Sequence, residues 1–163
     1  MPTPRFQYQL QDTPQTVREA RQEYLDGHPG LFPEDDMPAE SRAMFHRHDL
    51  CHVIFGLDTV PRDEARADLW TMMGTDVGWG RYMAYLNLPE AKAAFKTVSP
   101  WQMAVISVFA VPDFFGVWAC TRRMPRKLSW DDLDAHLDTP LADLRTTYGI
   151  RLLDQHAPTA SRV

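Results

Sequence analysis

The sequence predicts an all-α fold, a compact single-domain bundle of about seven or eight mostly short helices. Three observations carry that expectation. Cap-plus-proline starts recur at Thr13-Pro14, Thr59-Val60-Pro61, Ser99-Pro100 and Thr139-Pro140. Glycine or proline stops follow the helical stretches at Gly27, Gly56, Asn87-Leu88-Pro89 and Gly149. No segment alternates apolar and polar residues with period two. A length of 163 residues suits one domain with a real core.

Residues 1–12 are polar and read as an irregular N-terminal arm, residues 13–153 as the helical domain, and residues 154–163 as a loose tail. The first helix starts at Thr13-Pro14, carries Val17, Tyr24 and Leu25 on a thin apolar side, and stops at Gly27. His28 follows in a Pro/Gly turn, where a solvated imidazole is expected. The central helix begins at Asp35-Asp36-Met37-Pro38, with acids where the helix dipole favours them, and runs to about Phe55. Gly56 ends it and Pro61 opens the next, which carries Leu69, Trp70, Met72 and Met73. Tyr82, Met83, Tyr85 and Leu86 mark a further helix, and an alanine-rich one is expected over 90–96.

Ser99-Pro100 opens the most apolar segment of the chain, 101–111, followed by Pro112-Asp113 and then Phe114, Phe115 and Trp118. Pro112-Asp113 interrupts it before the roughly 20 apolar residues that a membrane span needs. A helix buried on all sides is expected here in preference to an inserted one; a strand over 105–111 is the weaker alternative. Arg122, Arg123, Arg126 and Lys127 form a basic loop. Such a run is ordinarily solvated surface, and otherwise an anion-binding site for a headgroup or diphosphate, formed by Arg122, Arg123 and Arg126. Ser129 to Leu137 reads as a helix with Asp132 at the reciprocal capping position, and Thr139-Pro140-Leu141 opens the last one, ending at Tyr148-Gly149.

A formal charge of −5 excludes a protein that coats nucleic acid. Cys51 and Cys120 are the two cysteines, without a CxxC, so a reducing compartment and a cytoplasmic location are expected. The N-terminus lacks the apolar core of a secretory signal.

The stretch with chemistry in it is Phe45-His46-Arg47-His48-Asp49-Leu50-Cys51-His52, with Glu64 twelve residues beyond His52. On a helix, His48 and His52 lie about 40° apart and Asp49 roughly 60° further on, all on the side that should be buried. Buried polar groups need partners, and a divalent cation satisfies all three. The turn at Gly56 folds the next helix back and brings Glu64 alongside His52. The expected ligand set is therefore His48, Asp49, His52 and Glu64, with Asp68, one turn past Glu64, in reserve. Two imidazoles and two carboxylates suit zinc first, with iron second, over calcium or magnesium. The alternative is a hydrogen-bonded core histidine pair with Asp49 orienting one ring. His46 points away and is expected in solvent, and Cys51 is expected as a buried thiol.

His48-Asp49-Leu50-Cys51-His52 with Glu64, and Pro140-Leu141 through Arg145 to Gly149-Ile150 after Trp130-Asp131, resemble the signatures of the Coq4 family of ubiquinone-biosynthesis proteins. The resemblance covers roughly residues 40–150; Asp63 stands where the family usually has glycine. It implies a helical protein peripheral to the inner face of the cytoplasmic membrane, holding a divalent metal and a polyprenyl tail. It further implies partnership with other quinone-biosynthesis enzymes and a part in oxidative decarboxylation at C1 of a prenylated aromatic acid. Trp101, Val105, Phe109, Phe114 and Trp118 supply apolar lining for such a tail. The rival from another class is a non-catalytic isoprenoid-lipid-binding or scaffold protein with a structural metal, for which a closed four-ligand site would speak. A metal-dependent hydrolase is weaker, because no separate general base is evident. Apolar surface on short helices is compatible with a homodimer.

Overall fold

The computed structural model describes residues 5–29, 38–89, 92 and 99–153. Among them are six α-helices: α1 (Val17–Gly27), α2 (Ala39–Phe55), α3 (Pro61–Gly74), α4 (Trp79–Leu86), α5 (Pro100–Thr121) and α6 (Leu141–Tyr148). Short 3-10 turns occur at Gln7–Gln9 and Leu133–His136. Among the described residues there is no strand, only isolated bridges between Thr16 and Pro140 and between Thr75 and Leu128.

The all-α expectation holds, with six helices among the described residues against the seven or eight expected for the whole chain. The core surrounds α2, whose last eight residues, His48 through Phe55, are all buried. A helix apolar on every side needs neighbours on every side, and α1, α3 and the first 3-10 turn supply them. Phe55 stacks on Trp70 of α3 at 4.4 Å between ring centroids. Leu50, Ile54, Leu133, Leu141 and Leu144 are buried in the same cluster. Gly56 closes α2 with φ of 70°, the left-handed conformation glycine adopts most readily, while its amide and that of Leu57 return to carbonyls of the last turn. Proline at the first position of α3 then starts the antiparallel return.

Arg145 of α6 is fully buried, with no carboxylate among the described residues at hydrogen-bond distance. Its guanidinium donates to the carbonyls of Leu10 (2.6 Å), Tyr8 (2.7 Å), Val53 (2.8 Å) and Ile54 (2.9 Å). Two of these belong to the C-terminal turn of α2, where orphan carbonyls and the negative end of the dipole favour a cation. Burial brings its pKa down to about 9. The described part of the irregular N-terminal stretch is tied to the core: Tyr8 is fully buried, and its hydroxyl donates to the Leu57 carbonyl.

Four further expectations are corrected. The first helix starts at Val17, not Thr13, with Thr16 and Glu19 forming its capping box; the residues before it are held extended against α6, where Leu141 and Ala142 donate to the Gln15 and Thr13 carbonyls. The expected helix over 129–137 is reduced to the 3-10 turn, since Ser129 spends its hydroxyl on the Asp132 carboxylate. Pro112 does not break the apolar segment: α5 runs through it for 22 residues, long and apolar enough to cross a membrane. Nor is that helix buried, since it packs along α3 and leaves most of its large apolar residues exposed. The helix expected over 90–96 and the tail over 154–163 lie outside the described residues, Lys92 excepted.

Candidate metal centre

The two helices that frame the site each contribute polar residues one turn apart. His48 and His52 come from α2, and Glu64 and Asp68 from α3. Their antiparallel pairing sets His52 Nε2 3.5 Å from Glu64 Oε2 and His48 Nε2 3.7 Å from Asp68 Oδ1. One donor atom each from His48, His52 and Glu64 lies within 4.8 Å of the others, the group best placed to share a cation.

His52 is fully buried, and among the described residues neither ring nitrogen makes a hydrogen bond, Nε2 facing Glu64 only at 3.5 Å. An imidazole so placed recovers little of its lost hydration, and metal ligation at Nε2 would restore it. The ring is fixed between aromatic neighbours: it stacks on Tyr24 at 5.3 Å and meets His48 edge-on at 4.7 Å. His48 in turn stacks on Tyr85 of α4 at 5.6 Å. The Glu64 side chain is 42% exposed, so the group opens to solvent on its α3 side.

The electrostatics call for positive charge. Burial opposes protonation of His48, but the Asp68 carboxylate, with Glu64 and Asp49, outweighs it and lifts the imidazole to about 9. Burial likewise pushes Glu64 up, and the adjacent His52 and His48 more than reverse it, holding the carboxyl below its usual value. A dication would supply the charge that a proton supplies in its absence. The donor set of two imidazoles and one or two carboxylates fits zinc or ferrous iron better than the oxygen-bound cations.

Asp49 sits differently from the other three expected ligands. Its Oδ2 lies 3.3 Å from Arg21 Nη2 of α1, and it acts on His48 through its charge. Sequence spacing could not reveal Arg21, which lies 28 residues away. Asp68, the reserve residue, faces His48. Cys51 is a buried free thiol, pushed up to about 12 by burial and so protonated at neutral pH. His28 and His46 are not solvated as expected. The His28 ring bridges the Tyr24 carbonyl and the Asp58 carboxylate, both at 2.7 Å, and His46 meets Asp134 at 2.6 Å.

The other candidate residues lie on and beyond α5. Trp101, Phe109, Phe114 and Trp118 are exposed on the outside of the helix, and the side chain of Val105 lies outside the described residues. Arg122, Arg123 and Arg126 are exposed; Arg122 lies over the Trp118 ring and Arg126 over Tyr148. Spacing along the chain does not foretell the latch that holds α5 to α3: Asp113 accepts from Arg62 (2.8 Å, twice) and Arg66 (3.0 Å).

Compared with family models, curated proteins and solved structures, the chain matches none.

Proposed function

We propose that the protein is a metal-dependent participant in prenylquinone biosynthesis that binds a polyprenylated aromatic acid and assists its oxidative decarboxylation at ring C1. The observation that carries this is the fully buried His52, whose Nε2 makes no hydrogen bond among the described residues and faces a space shared with His48 and Glu64. Zinc or iron is the cofactor that these donors favour. A bound metal would supply a Lewis acid for the ring carboxylate and for the negative charge left as carbon dioxide departs. His48 and His52 would hold the ion, Glu64 would complete the set from the solvent-open side, and Asp49 would steady α1 through Arg21.

Ligand number bears on the rival, a non-catalytic isoprenoid-binding or scaffold protein with a structural metal. Three converging donors, with Asp49 engaged by Arg21, leave room for substrate, whereas a structural site is closed. The motifs that resemble the ubiquinone-biosynthesis family support the substrate class, and the apolar residues of α5 offer surface to a prenyl tail.

The test is metal analysis of the purified protein beside His52→Ala, followed by lipid extraction and mass spectrometry of the wild type. Stoichiometric zinc or iron that disappears in the variant, with a prenylated aromatic acid in the extract, supports the proposal. Metal-free wild-type protein that folds and extracts clean refutes it.

A further inference from the structure

Helix α4 is lightly held. Of its eight residues only Tyr82 is buried, Trp79 is 66% exposed, and a side chain at Gly80 would meet nothing within 4 Å. The backbone before it is fixed. Thr75 bridges Leu128, the Asp76 amide donates to the Leu128 carbonyl, and the Asp76 carboxylate accepts from the Trp130 amide at 2.7 Å. Gly78 follows at φ of 74° and ψ of 149°, a conformation that residues with a side chain hardly enter. A fixed base, a glycine joint and a two-turn helix beyond it are the parts of a lid.

What α4 covers is the metal centre. Phe45 and His48, three residues apart on α2, present two ring walls on one face. Tyr85 of α4 fills the angle between them, stacked on His48 at 5.6 Å between centroids and edge-on to Phe45 at 5.7 Å. Tyr82, one turn earlier, lies 6.3 Å from Tyr85 and sits beside the Asp68 carboxylate. On the outside, Arg81 meets Asp131 at 2.6 Å with both side chains more than half exposed, and such a pair holds weakly. A tyrosine of an ordinary core comes from a helix that buries a whole face; this one is a phenol delivered to the His48 ring by a helix that buries little else.

We propose that α4 is a lid hinged at Gly78, and that Tyr85 occupies in the closed state the slot between Phe45 and His48 that receives a ligand's phenolic ring when the lid lifts. Tyr85 is then an intramolecular competitor, and the apparent affinity of a ring is its intrinsic affinity scaled by the open fraction. That the natural ring belongs to an aromatic acid rests on the function proposed above; the lid itself rests on packing and the hinge.

The probe is p-cresol, the tyrosine side chain as a free molecule. Equilibrium dialysis on metal-free full-length protein is paired with amide hydrogen exchange read by mass spectrometry. Wild type binds p-cresol weakly, and the ligand quickens exchange over α4 while α2 and α3 keep theirs. Arg81→Ala removes only the exposed latch and tightens binding by up to about fivefold. Gly78→Ala penalises the closed joint and tightens it by about tenfold. Adding Phe45→Ala, which removes a wall of the slot, abolishes that gain. Exchange over α4 that p-cresol slows or leaves unchanged, hinge and latch variants that bind no more tightly, or exchange that quickens equally through α2 and α3 would each overturn the lid. Wild type that takes up no metal sinks the function proposed above and leaves this outcome standing.

Discussion

Replacing Arg145 by methionine tests whether one buried cation ties the N-terminal stretch and the end of α2 together. The substitution preserves much of the volume and removes four short donors. Val53 and Leu10 keep longer contacts, from the Gly56 amide at 3.4 Å and the Thr13 amide at 3.3 Å. Ile54 and Tyr8 lose their close donor, and each buried acceptor left unpaired costs about 1–3 kcal/mol, or about 2–6 kcal/mol together. Against this, methionine relieves the desolvation of a guanidinium, a cost visible in its lowered pKa. The balance falls in the lower half of that range, at about 3 kcal/mol. With a urea m-value of about 2 kcal/mol/M, the midpoint followed by far-ultraviolet circular dichroism drops by roughly 1.5 M. Arg145→Lys drops too, because a single ammonium cannot reach carbonyls on two segments and resists burial. Midpoints within about 0.3 M of wild type for both variants would refute the strap, by showing that the carbonyls find other donors.

Three further outcomes follow from the geometry. Glu64→Gln and His52→Ala lose more metal affinity, by equilibrium dialysis, than the about 10–100-fold expected when an outer partner is removed; Asp49→Asn, altering the residue held by Arg21, stays inside that range. The Asp113 carboxyl is buried, which raises its pKa, but hydrogen bonds from Arg62 and Arg66 hold it below the usual value. Its stabilising effect is therefore complete above the unfolded carboxylate pKa of about 3.9 and vanishes as pH falls through the lower folded value. Urea midpoints of wild type and Asp113→Asn should differ at pH 6 and converge in strong acid. Gly56→Ala forces a side chain into φ of 70° and within 2.9 Å of Leu152 Cδ1; a cost of about 1–2 kcal/mol lowers the calorimetric Tm by roughly 3–6 °C.

What the sequence made legible was local. Ser99 caps α5 with Pro100 at its first position as the sequence implied, Gly149 ends α6 in the left-handed conformation, and Pro61 opens α3. The pairing of His52 with Glu64 also followed from a short turn joining two helices. What escaped was decided by residues far away in the chain. Thr13 could cap a helix as well as Thr16, and contacts with α6 select the later start. Asp49 has the right spacing for a ligand, but a basic residue from α1 reaches it. The apolar run of α5 reads alike whether neighbours or water surround it, because composition fixes what a helix can bury and not what arrives to cover it.

Helix α3 is one rod of 14 residues, about 21 Å long, with Glu64 and Asp68 on one side and Arg62 and Arg66 clamped to α5 on another. An ion held between α2 and α3 would thus pull on the same rod that carries α5. Were that rod to shift on loading, α5 would move with it, and anything that favoured one position of α5 would by reciprocity change the ion's affinity.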